Sequence, residues 1–481
     1  MSDLAFKSAT ELAQLIQKKE LSSEELTRHY IERIDRLDGK TNAVPVRIFE
    51  RGLEDAKKAD KMLAQGLIQG PLHGIPMTIK ESYVLADTPA TWGVDAYKDN
   101  VAEQDGLHVT RFRAAGAHFI GKTNVPVDLS DFQSYNPIYG TTNNPWDLEK
   151  TPGGSSGGSA AAMAAGFSGL EAGSDIGGSI RTPAHFCGVY GHKPTWGIVP
   201  QSGHELVSGV PDPDVSVCGP LARSAEDLKV ALDTMAGPTA RESIGWRLDL
   251  APPGFTSLQD LKVAIWATDV LAPVDDQIAN KVTMVGDVLS KLGAVVSDTA
   301  RPEIDLKKAH RVYQTLTQAT MASGQPAHRI AEYQRFVSQL SDADDSEAAV
   351  SARAAVMSHR QWIRDDFRRA NLQRAWDKFF EEWDVIICPQ MAVTAFNHDH
   401  RPWKERTLLV NGEEQSYTKH LFWSGLANAP YLPSTIFPTG LSDTGLPIGI
   451  QVTSASYRDY KTIEFARLIA EEIGGFIPPP L

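Results

Sequence analysis

The chain is short of the features that mark several protein classes. It has only three cysteines in 481 residues, Cys187, Cys218 and Cys388. An odd number of widely spaced thiols suits reduced, buried side chains better than a disulfide framework or a zinc site. No basic run offsets the acidic balance of 47 Lys plus Arg against 60 Asp plus Glu, a net charge of −13, which argues against a nucleic-acid partner. The most apolar long stretch, residues 157–170, is rich in Ala and Gly and falls short of the roughly 18–20 residues that span a bilayer. The N-terminus lacks a basic segment followed by an apolar core and reads at once as amphipathic helix, so no secretory signal is expected. These absences predict a soluble, cytoplasmic protein with no membrane partner. What is present is core-forming material: 42% apolar residues, with 29 prolines spread along the chain, enough for one large domain or two ordinary ones.

The patterning predicts helices over 10–19, from Ser22 onward, and over 50–65; Ser22 and Glu25 have the spacing of a capping box. Ile75, Met77 and Ile79 alternate with Pro76, Thr78 and Lys80, which reads as a short strand. Further helices are expected at 107–115, 158–166 and 223–236, and strands at 117–121, 261–266, 294–298, 384–388 and 447–453. The alternation implies an α/β chain with a mostly parallel or mixed sheet. A charge-rich helical block at about 305–382 interrupts the rhythm, and lies on the surface or lines a site. No internal repeat, low-complexity tract or linker divides the chain.

The stretch 151–160, Thr-Pro-Gly-Gly-Ser-Ser-Gly-Gly-Ser-Ala, has the composition of a flexible linker. It leads, however, directly into the small-residue helix 158–166, and a second Gly-Ser element, residues 173–181, follows that helix. Two such loops flanking one buried helix suggest a built site. Glycine lets backbone N–H groups approach a ligand closely, and those of Ile176, Gly177, Gly178 and Ser179 can converge on an oxygen that gains negative charge, as in an oxyanion hole. Phosphate-binding readings fail for want of a Gly-Lys-Ser/Thr ending or three spaced glycines after a strand. Gly153 to Gly157 also fits the nucleophile-elbow string G-x-S-x-G. That alternative makes Ser155 the nucleophile and needs a histidine such as His310 or His420, as well as a strand running into the serine, where Asn143 to Asp147 reads as loop.

Residues 153–159, 173–184 and 70–80 together closely resemble the amidase signature family. The likeness extends through 121–126, Asn144-Pro145-Trp146-Asp147, Cys187-Gly188, Lys193-Pro194-Thr195, 219–223 and 445–451, so the family fold is expected over nearly the whole chain, with a signature core at about 70–230. The resemblance implies a single α/β domain (1–481) with a mixed, twisted central sheet and helices on both faces. It also implies a Ser-Ser-Lys triad: Ser179 as nucleophile, Ser155 as a bridging serine preceded by a cis peptide bond, and Lys80 as base. The oxyanion hole falls to Ile176, Gly177, Gly178 and Ser179, with Asp175, Arg181, Gly154 and Ser156 as supports. The pocket segment is expected at Leu129, Ser130, Asp131, Phe132 and Gln133, where Phe132, Tyr135 and Trp146 suit an aryl or apolar acyl group.

A serine hydroxyl needs a base during attack, and lysine serves only when neutral. At its ordinary pKa of about 10.4 only on the order of one lysine in a thousand is neutral near pH 7.4, so burial must lower it. The expected activity is hydrolysis of small amides or carbamates, with aryl amides, urethanes and esters within reach of the same chemistry. No cofactor or metal is expected; His398 and His400 in a polar loop read as solvent-exposed. Two alternatives remain. One is a glutamine-hydrolysing amidotransferase subunit, against which Trp196-Gly197-Ile198-Val199-Pro200 departs from that subunit's Tyr-Gly-Arg-Val-Ser; no obligatory partner subunit is expected. The other is a non-catalytic binding protein on the same scaffold.

Overall fold

The structure, a computed structural model, describes residues 4–481 apart from Ser208. Two sheets carry the fold. In the smaller, His118–Thr123 lies between Val46–Arg47, antiparallel to it, and Pro76–Lys80, parallel to it. The larger has eight strands in the order Val295–Ser297, Lys262–Ile265, Val385–Cys388, Pro447–Thr453, Ser434–Leu441, Tyr190–Lys193, Val217–Ala222 and Glu171–Asp175. Its first two pairings are parallel and the other five antiparallel. The sheet is therefore mixed, the second of the two arrangements expected and the one the family resemblance implies. The two sheets meet where Pro76–Lys80 packs beside Glu171–Asp175.

Helices cover both faces, and two consecutive residues show it. Neighbouring strand residues point to opposite faces: Ile436 packs with Ile180, Ala184 and Cys187 of the Arg181–Cys187 region, whereas Phe437 meets Phe465 of the helix Asp459–Ile473 at 5.8 Å. The expected capping box forms, Ser22 Oγ accepting from the Glu25 N–H and Glu25 accepting from the Ser22 N–H. The block after residue 305 is helical as Leu306–Ala322, Ala327–Val337, Glu347–Ala355 and His359–Glu382. All three cysteines are buried and unpaired. Among the described residues no helix is long and apolar enough to cross a membrane.

Four strands next to the site, Glu171–Asp175, Tyr190–Lys193, Val217–Ala222 and Ser434–Leu441, carry no legible strand pattern. All residues of the first three are buried, so neither face demands polar alternation.

Candidate functional site

Lys80 ends a strand whose five residues are all buried, and its side chain is cut off from solvent. Its Nζ donates to Ser155 Oγ at 2.7 Å and to Ser174 Oγ at 2.9 Å. Burial pushes the ammonium down to about 7, against the opposing pull of Cys218, Asp175 and Glu171. A lysine in that range is half neutral at neutral pH, the condition a base requires.

The two Gly-Ser loops close on each other around this amine. The Gly154–Ser155 peptide bond is cis. Gly154 must be glycine for a steric reason: a Cβ there would lie 2.3 Å from the Asp131 carbonyl oxygen. Ser156 Oγ donates to the Ser174 carbonyl at 3.4 Å and accepts from the Ser174 N–H at 3.3 Å. The Ser156 N–H donates to the Ser179 carbonyl at 3.0 Å. The backbone that carries Ser155 and Ser179 is thereby joined, and each serine has little exposed surface.

Asp175 and Arg181 brace the second loop from within. The Arg181 Nε and Nη2 donate to the two Asp175 carboxylate oxygens at 3.0 and 2.9 Å, and Nη1 donates to Gln451 at 2.9 Å. Both side chains are fully buried. Burial works to raise the Asp175 carboxyl, but the guanidinium and the Gly178 N–H overcome it and hold the group well below the usual carboxylate range. Of the four expected oxyanion donors, Gly178 is engaged, giving its N–H to Asp175 at 2.9 Å. Among the described residues no hydrogen bond from the N–H of Ile176, Gly177 or Ser179 is seen.

Of the segment expected to form the pocket, Leu129 to Gln133, the backbone of Asp131 and Gln133 lies against Gly154, and the polar side chains of these two residues are already committed. Asp131 accepts from Arg406 at 2.7 Å and from the Tyr417 hydroxyl at 2.8 Å. Gln133 is clasped by the backbone of Asp399, donating at 2.7 Å and accepting at 2.9 Å. These two residues hold the wall together. Phe132 meets the buried His420 ring at 4.2 Å, while Leu129 and Ser130 stay half-buried. Tyr135 stacks on His400 at 3.7 Å. Trp146 lies elsewhere: its indole N–H donates to the Cys187 carbonyl, at the far end of the helix from Ser179. The elbow alternative loses its support, since loop leads into Ser155 and the side chain that meets its hydroxyl is Lys80; His310 packs on Phe422 and His420 on Phe132. His400 is exposed as expected, whereas His398 is half-buried. A cavity of about 540 Å³ lined by Phe396, His398, Asp399, Arg401 and Tyr417 opens beside the wall, without Lys80, Ser155 or Ser179 in its lining.

Four residues at the site escape the sequence reading. Ser174 is visible within a motif but without a partner. Tyr313 donates to the Ile176 carbonyl at 3.1 Å, and Asn428 Nδ2 donates to it at 2.9 Å. Gln390 presses on Gly178, where a Cβ would sit 2.4 Å from its amide nitrogen.

The family model described as Amidase matches residues 25–463. The chain belongs to the amidase family. Among its relatives it is 32% identical to an indoleacetamide hydrolase of Bradyrhizobium diazoefficiens, over 97% of this chain and 86% of that protein. It is 30% identical to a glutamyl-tRNA(Gln) amidotransferase subunit of Alkaliphilus metalliredigens, over 96% of each. Among solved structures, 6-aminohexanoate cyclic dimer hydrolase superposes with a TM-score of 0.79 at 25% identity, covering 98% of this chain and 97% of that one. The amidase-family chain thus shares its fold, essentially end to end, with that hydrolase.

Proposed function

We propose that this protein hydrolyses the C–N bond of small-molecule amides or carbamates through an acyl-enzyme on Ser179. The observation that carries the reading is the solvent-excluded Lys80 amine, 2.7 Å from Ser155 Oγ, with the next residue, Ser156, clasping the Ser179 carbonyl. In the neutral amine the same contact reverses, the Ser155 hydroxyl donating to the nitrogen lone pair. Ser179 Oγ then attacks the substrate carbonyl carbon; its proton passes to Ser155, whose own proton passes to Lys80. The N–H groups of Gly177 and Ser179, in the loop before the Arg181–Cys187 helix, face the carbonyl oxygen as it becomes an oxyanion. Collapse breaks the C–N bond, and the proton returns from Lys80 through Ser155 to the leaving nitrogen. Water repeats the sequence on the ester and restores Ser179. Every group in this relay comes from the one chain.

An amine with a pKa of about 7 is roughly three-quarters neutral near pH 7.5, against on the order of one in a thousand for an ordinary lysine. A related protein bearing the name indoleacetamide hydrolase favours an aryl-bearing acyl group, which Phe132 and the rings around it would accept. The relative from the amidotransferase keeps glutamine as a second substrate to assay; where the resemblance to such subunits implies Tyr-Gly-Arg-Val-Ser, this chain has Trp196, stacked on Tyr431 at 4.6 Å.

The deciding assay is a panel of anilides, primary amides and carbamates with glutamine alongside, read for product and for a burst of released amine. Hydrolysis with a burst that vanishes in Ser179→Ala is the expected result. A burst unchanged in that variant removes Ser179 from the role, and deamidation of glutamine alone, only with an added partner protein, reassigns the chain.

A further inference from the structure

We propose that Tyr313 and Asn428 are the positioning residues of the oxyanion hole: they fix the Ile176–Gly177 peptide plane so that the Gly177 N–H faces the reacting carbonyl. The inference rests on Ser179 being the nucleophile and follows from peptide planarity. In a trans peptide the C=O and the N–H of one plane point in opposite directions. The Ile176 carbonyl accepts from the Tyr313 hydroxyl at 3.1 Å and from Asn428 Nδ2 at 2.9 Å, which turns the Gly177 N–H away from both. The next plane is turned the other way, its Gly178 N–H bound to Asp175 Oδ1 at 2.9 Å. In the third, the Gly178 carbonyl accepts from the Thr182 N–H at 2.6 Å, so the Ser179 N–H of the same plane points away from the helix. The alternation singles out Gly177 and Ser179 as a donor pair with Gly178 as the brace between them.

The two positioning side chains are themselves held. Tyr313, on the helix Leu306–Ala322, is almost fully buried; a Cβ on Gly177 would come 3.4 Å from its hydroxyl and 3.2 Å from Leu421. Asn428, fully buried, accepts from Arg181 Nη2 while donating to Ile176. The charge-rich helical block therefore contributes to catalysis through another residue's backbone, from outside the Gly-Ser loops.

The test uses Tyr313→Phe, which removes one oxygen and keeps the ring, and Asn428→Ser as a second variant, with folding checked by thermal melting. A fluorophosphonate places its phosphoryl oxygen where the oxyanion forms, so its rate of reaction with Ser179, located by mass spectrometry, reads the donors directly. Tyr313→Phe should label about tenfold more slowly, and on an anilide that the parent turns over kcat should fall about tenfold while KM stays within about twofold, because a donor aimed at the oxyanion acts in the transition state. Labelling and kcat at parental values in a folded Tyr313→Phe overturn the inference, as does a loss confined to KM. A parent enzyme that is not labelled at Ser179 fails earlier, on the nucleophile itself, and takes the inference with it.

Discussion

Ser174 Oγ accepts a hydrogen bond from Lys80 Nζ at 2.9 Å, so the amine is gripped from a second side besides Ser155. An acceptor stabilises an ammonium more than a neutral amine. Ser174→Ala should therefore move the acid limb of the kcat/KM profile to lower pH, and the loss of one anchor should lower the plateau by about tenfold. A profile taken across the neutral range checks both, and an acid limb that stays in place would show that Ser174 does not bear on the protonation of Lys80.

The buried lysine also has a stability signature. Its folded pKa of about 7 lies below the unfolded value of about 10.4. Between those values the unfolded chain holds a proton that the folded one has lost, so this contribution raises stability as pH climbs from about 7 to about 10 and is at its worst below 7. The cost at low pH is on the order of 5 kcal/mol. Lys193, also buried and pushed down to about 7, adds a slope of the same sign to the parent, so the difference between proteins is the quantity to measure. Lys80→Met should melt several degrees above the parent near pH 6, with a gap that narrows toward pH 10. A gap independent of pH would mean the lysine is charged in the folded protein.

The contact of Gly154 with the pocket wall makes a steric prediction. A Cβ there would meet the Asp131 carbonyl oxygen at 2.3 Å and the Gln133 N and O at 2.7 Å, all backbone atoms that cannot swing aside. Gly154→Ala should cost about 1–3 kcal/mol as an overpacked site and about a hundredfold in kcat/KM, since the wall must shift by the displacement that disturbs Ser155. Gly324→Ala, with open space around the added methyl, is the control and should match the parent in melting and rate.

Much of this site is legible in the sequence because its chemistry is carried by short local strings. Lys80 closes an alternating strand, and the glycines flanking Ser155 and Ser179 announce close backbone approach. The brace is not legible in the same way. Tyr313 and Asn428 reach Ile176 across 137 and 252 residues of chain, and each sits in a helix whose local pattern reads as ordinary packing. The strand Glu171–Asp175 is hidden for a different reason: buried on both faces and containing Gly173, it lacks both the alternation and the β-branched residues by which strands are read. Gly178 shows the limit of composition. Its glycine reads as a place for close approach, but that space serves Gln390, and its N–H serves Asp175.

The Asp175–Arg181 pair yields the last prediction. The guanidinium is fully buried and bonded to both carboxylate oxygens, and the same carboxylate holds the Gly178 and Ile180 N–H groups at 2.9 and 3.1 Å. Removing one partner of a buried pair strands the other charge, at a cost of about 3–5 kcal/mol. Asp175→Asn should therefore melt well below the parent and lose activity, because the Gly178 plane that spaces the two free donors is released. Arg181→Met should be destabilised similarly, since it leaves the carboxylate buried. The double variant has no stranded charge, so its loss should be smaller than the sum of the two single losses by about 1 kcal/mol or more. Strict additivity in denaturant melts would show that the two residues act separately, and that the loop is shaped by its glycines without the ion pair.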